Sequence, residues 1–165
     1  LVRCVGFEGE APVLEFLNKG TGFASLTGEK LSELQAATAV KQGFVDLELP
    51  VELFTVAPVF SDPPGYVVLL EDMPPEGYRS ELARRINDHL LRLNTEYADK
   101  LHSGRLRPIT LGRVPKGTWE RLREEKVSRR GIGVEQYKHP CLISDVGFVK
   151  RVGALIPHNA TEKVA

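Results

Sequence analysis

The chain has 165 residues, 42% of them hydrophobic, enough to bury one domain core with a small appendage. Basic and acidic side chains number 22 each, so no overall charge draws the chain to nucleic acid or to an anionic membrane surface. Two cysteines, Cys4 and Cys141, are too few for a disulfide framework, no Cys/His cluster has metal spacing, and no apolar run is long enough to cross a bilayer. The expectations are therefore a cytoplasmic protein with no metal ligands, no nucleic acid and no membrane among its partners.

Val2 to Phe7 and Val13 to Leu17 read as two short strands around the turn signal Gly9-Glu-Ala-Pro12. Such a pair is too small to stand alone and needs a larger sheet to lean on. Asn18-Lys-Gly-Thr-Gly22 is a polar, glycine-bearing joint and marks a domain boundary. Beyond it, a strand near Gly22 to Leu26 leads to a helix from Ser32 to about Gln42, opened by the capping box Ser32-x-x-Gln35. Val51 to Phe60 and Tyr66 to Glu71 are strands separated by the breaker Asp62-Pro-Pro-Gly65. Gly77 to Asn94 is a helix whose Leu82, Ile86, Leu90 and Leu93 keep the spacing of one buried stripe. Ile109 to Val114 gives a last strand, and Trp119 with Leu122 marks the inward face of a C-terminal helix.

The order β-α-β-β-α-β predicts an α+β fold: a ferredoxin-like mixed sheet with helices on one face, plus the short N-terminal two-stranded piece and the extra C-terminal helix. Residues 1–18 are assigned to end strands of a large N-terminal domain, 19–155 to a C-terminal lid domain and 156–165 to a polar tail. The opening residues Leu1 to Phe7 begin in mid-strand, so the chain is expected to be part of something longer.

Two lysines stand out. Lys30 lies between the Gly28 turn and the Ser32 cap, where the backbone is fixed on both sides. Lys138 follows two glycines and precedes His139-Pro140, which holds it on an extended loop. Judged by composition alone, each is an ordinary surface lysine. His89 reads as a rim histidine at the edge of a helix stripe and His102 as a turn residue. Cys141 reads as a quiet thiol, with no sequence feature that lowers its pKa. The basic excess around Lys116, Arg121, Arg123, Lys126, Arg129, Arg130 and Lys138 reads as a solvated helix face.

The ordered set Val5-Gly-Phe7, Pro12-x-x-Glu-Phe16, Leu26-Thr-Gly-Glu-Lys30 with Ser32-Glu33, Gly117-Thr-Trp119 and Gln136-Tyr-Lys-x-Pro140 resembles the C-terminal part of the Gretchen Hagen three family, over residues 1 to about 143. These are acyl-acid amido synthetases of the luciferase-like adenylate-forming superfamily, and the form of the turn is similar to that of the bacterial branch. The resemblance implies an enzyme that uses ATP and Mg²⁺ to convert a carboxylic acid to its adenylate, then joins it to an amino acid. It implies an N-terminal adenylation domain as partner within the same chain, with this segment as a mobile lid that is inactive and cofactor-free by itself. It also implies nucleotide-facing, catalytic roles for Lys30 and Lys138 and a hinge at Lys19 and Gly20. Cys141 departs from the family's usual arginine after the proline. Two other readings stand beside this one: an acyl-CoA ligase relative, and a stand-alone ferredoxin-like ligand-binding module.

Overall fold

The computed structural model of the chain describes residues 2–16, 22–130 and 133–156. Lys19 and Gly20 of the expected hinge, and the tail from residue 157, lie outside the described residues. β1 (Val2–Glu8) and β2 (Ala11–Phe16) form an antiparallel hairpin turned at Gly9, as the sequence suggests. β3 (Phe23–Ala24) and β4 (Leu31–Ser32) pair with each other around the loop of residues 25–30. Ser32 then caps α1 (Glu33–Asp46) with both halves of the capping box in place: Gln35 N donates to Ser32 Oγ at 3.2 Å, and Ser32 N donates to Gln35 Oε1 at 3.0 Å.

The central sheet contains β5 (Phe54–Val59), β6 (Gly65–Leu70) and β7 (Thr110–Arg113). β5 and β6 are antiparallel, whereas β6 and β7 are parallel. All of β6 is buried, because both faces of the sheet are covered. Tyr66, Val68 and Leu70 pack on one side with Ala36, Val40 and Phe44 of α1 and with Leu82, Ile86 and Leu90 of α2 (Glu76–Leu93). Val67 and Leu69 face the other way, towards Phe148, Val152 and Trp119, the last on α4 (Thr118–Arg130). The mixed α+β class and the inward placement of Trp119 and Leu122 thus follow the sequence reading.

Three details differ from it. The strand expected before α1 does not join the central sheet among the described residues, since Ala24 pairs back onto Leu31. The place beside β5 is taken instead by residues 141–143: Val56 N donates to Cys141 O at 2.8 Å and Ile143 N to Val56 O at 2.9 Å. Leu93 has stripe spacing but is 40% exposed, because α2 ends there. Asn94 starts a separate helix, α3 (Thr95–His102), by accepting from Tyr97 N at 2.8 Å, so His102 is helical rather than a turn residue.

α1 and α2 cross at Gly43, where an added Cβ would stand 2.6 Å from Ile86 Cγ1 and 3.3 Å from its backbone nitrogen. Gly43→Ala is expected to lower stability by about 1–3 kcal/mol through overpacking. Gly77→Ala, in open space near the start of α2, should be neutral or stabilising by up to about 1 kcal/mol. Urea unfolding midpoints of the two variants check both outcomes.

Candidate functional site

The loop that carries Lys30 is built around a carboxylate. Glu29 is fully buried, and four donors converge on it. Leu26 N (2.7 Å) and the Tyr66 hydroxyl reach Oε1; Thr27 N (2.8 Å) and Thr27 Oγ1 (3.0 Å) reach Oε2. Burial alone would raise the Glu29 carboxyl, but the Tyr66 hydroxyl and the two amides outweigh it and hold it below the ordinary carboxylate range. Burial first, and then the Glu29 carboxylate, push the Tyr66 phenol far up. From α3's cap, Asn94 Nδ2 donates to the Glu29 carbonyl at 3.0 Å. The loop is therefore clamped from the sheet and from α3 together.

That clamp holds an unusual backbone. Gly28 has φ 106° and Lys30 has φ 46°, the latter in a left-handed region that costs a non-glycine residue about 1–2 kcal/mol. Glu29 points into the core while the Lys30 side chain stays outside. Among the described residues its ammonium meets only Glu96 Oε1, at 3.8 Å, with both side chains at least half exposed. A pair of that kind contributes little, which leaves the ammonium able to exchange Glu96 for another anion.

Lys138 is exposed, and the residue after it is anchored. His139 Nε2 lies 2.9 Å from Thr55 Oγ1 and 3.1 Å from Phe54 O, while Nδ1 lies 3.3 Å from the Tyr137 hydroxyl. Thr55 donates its own proton to Pro140 O at 2.9 Å, so both Nε2 partners act as acceptors and the ring carries its proton on Nε2. Burial lowers the His139 pKa and keeps the imidazole neutral, against the edge of Trp119 at 4.9 Å between ring centroids. Cys141 follows, its thiol pushed up by burial and then by Glu33, away from thiolate chemistry.

Glu33 joins the two segments. Its Oε1 accepts from Cys141 N at 2.7 Å, and its own backbone nitrogen donates to Gly22 O at 2.7 Å. The N-terminal turn of α1 thereby ties the Lys30 loop, the chain after Lys138 and the last glycine of the joint to one end of the domain. The structure brings these segments together, whereas Lys19 and Gly20 lie outside the described residues. Sequence reasoning missed Glu29, Glu33, His139 and Asn94. A carboxylate wedged between Thr27-Gly28 and the apolar Leu31 was a usable signal for Glu29; the others depend on contacts between distant segments. His89 is a rim residue as expected, bonded at 2.7 Å to Asp46 Oδ2.

The model for the GH3 (Gretchen Hagen three) family C-terminal domain matches residues 32–146, more than half of the chain, and the protein belongs to that family. The chain is 24% identical over 148 residues to an Arabidopsis thaliana protein described as indole-3-acetic acid-amido synthetase GH3.5, a match spanning 85% of this chain and 24% of the relative. Its fold is similar to that of the GH3.15 acyl acid amido synthetase, with TM-score 0.68 and 23% identity over 95% of this chain and 30% of that one. A structure of the same enzyme in complex with 2,4-DB superposes with TM-score 0.61 and 21% identity, over 95% of this chain and 29% of that one. The chain thus spans under a third of the length of these relatives.

Because the folded Glu29 pKa is depressed, its stabilisation is complete above the unfolded value near 4.5 and is lost as pH falls through the folded value. Tyr66→Phe should cost about 1.5–3 kcal/mol at pH 7, the range for a hydrogen bond to a charged group. The difference from wild type should shrink as pH falls below 4.5. Denaturant unfolding at a series of pH values checks this.

Proposed function

We propose that the chain is the C-terminal lid domain of an ATP-dependent acyl-acid amido synthetase, one of the bacterial branch of its family and of the luciferase-like adenylate-forming superfamily. The single observation that carries this reading is the tethering, through Glu33, of Gly22 of the joint and of Cys141 to the first turn of α1. Cys141 lies three residues after the exposed Lys138, and that turn directly follows the loop that carries the exposed Lys30. Membership in the family weighs against a stand-alone ligand-binding module.

In this reading an N-terminal adenylation domain of the same polypeptide binds ATP with Mg²⁺ and the carboxylic acid. Residues 1–18 belong to that body, 19–155 to the lid and 156–165 to a tail, with rotation at Lys19 and Gly20. Forming the acyl-adenylate builds negative charge on the α-phosphate and on departing pyrophosphate. Lys30 and Lys138 meet that charge with compact ammonium groups on backbones already fixed by Glu29 and His139, so little reorganisation accompanies the step. Closure of the lid also shields the adenylate from water until the amino acid displaces AMP. The left-handed φ of Lys30 supports this assignment, because such backbone is kept where surrounding structure over-determines it. The enzyme works in the cytoplasm, and the lid alone turns nothing over.

In the full-length enzyme, Lys30→Ala and Lys138→Ala should each slow ATP–pyrophosphate exchange or amide formation about a hundredfold, or about 3 kcal/mol. Thermal midpoints should stay unchanged, since both side chains are exposed. Wild-type rates in both variants would remove the lysine roles, and ATP turnover by the isolated 165-residue chain would remove the lid reading.

A further inference from the structure

The basic residues of α4 do not all behave as a solvated face. Arg123 pairs with Glu120, and Arg121 lies 3.7 Å from Glu125. Lys126 and Arg129 follow Leu122 at i+4 and i+7, which places all three on one stripe of the helix. That stripe lines a half-open cleft of about 450 Å³, whose other walls include Tyr137, His139, Phe148 and Ile143. Arg151 also lines it, but its guanidinium is engaged with Asp145 Oδ2 at 2.7 Å and stands 5.3 Å from the Phe148 ring centroid.

The cations left over are Lys126, whose Nζ lies 5.4 Å from the Tyr137 ring centroid, and Arg129, which has no carboxylate partner among the described residues. Glu125, the one carboxylate on the lining among the described residues, is half exposed and only loosely paired with Arg121 at 3.7 Å. Its charge is largely met by solvent, and two cations stand against it at the cavity. His139 is neutral with both ring nitrogens occupied, so it supplies a wall and no charge. A volume of this size with apolar and aromatic walls and a few polar groups on one side is the usual form of a small-ligand site. Tyr137, His139 and Pro140 line the cavity and Lys138 does not, which separates it from the lysine placed at the nucleotide.

We infer that the cavity between α4 and residues 137–148 binds a small organic anion, its flat apolar body between Tyr137, Phe148 and Leu122 and its oxyanion held by Lys126 and Arg129. Carboxylates and phosphate monoesters share that chemistry.

A ¹H–¹⁵N NMR titration of the chain with benzoate and with phenyl phosphate tests it, with benzamide and inorganic phosphate as half-ligands. At least one aryl anion should give saturable shifts at Tyr137, His139 and Phe148, weakening with added salt; the tighter of the two identifies the headgroup. Both half-ligands should bind at least tenfold more weakly. Lys126→Gln/Arg129→Gln, changed at side chains outside the core, should keep the remaining spectrum and bind at least tenfold more weakly. Lys138→Ala should bind as wild type, so the fate of this site and that of the catalytic lysine are read separately. No saturable shift with either anion, an equal response to benzamide, or undiminished binding by the double variant overturns the proposal.

Discussion

The buried Glu29 carboxylate is the contact on which the rest of this end of the molecule depends. A charge in that position is tolerable only because four donors meet it. Three come from its own loop and one from the central strand β6, so satisfying the charge and docking the loop onto the sheet are the same event. The left-handed turn at Lys30 follows from it. Without the clamp, a lysine would have no reason to hold a backbone that glycine adopts more easily.

Around that clamp, helix ends and sheet edges meet. Ser32 and Gln35 cap α1, and Gln35 Oε1 also accepts from Asn94 Nδ2 at 3.2 Å. Asn94 ends one helix, starts the next and reaches the Glu29 carbonyl. Glu33 collects the backbone after Lys138. Short polar contacts of this kind are directional, so they fix the angles at which segments leave the domain, which the apolar core alone does not do.

The local devices were legible in the sequence. Ser32-x-x-Gln35, the turn at Gly9 and the stripe of Leu82, Ile86 and Leu90 depend on residues within a few positions of one another, and each forms as written. The edge beside β5 was not legible, because residues 141–143 reach it only after the chain has folded past α4. Glu29 escaped for a related reason: its partner Tyr66 lies on another element, and a glutamate in a polar turn ordinarily faces water. Lys30 and Lys138 could be named from their neighbours and from family resemblance, while the bond from Cys141 N to Glu33, which joins the chain after Lys138 to the start of α1, needed coordinates. The division of α4's cations into paired and unpaired sets needed them too.

The proposed lid role requires both lysines to lie against the nucleotide in the full-length protein. Lysine acylation footprinting of the full-length protein, read by mass spectrometry with and without ATP and Mg²⁺, measures that contact directly. Lys30 and Lys138 should become protected by nucleotide while Lys116 and Lys150, which are also exposed in this domain, keep their reactivity. Equal modification of Lys30 and Lys138 in the presence and absence of nucleotide would contradict it.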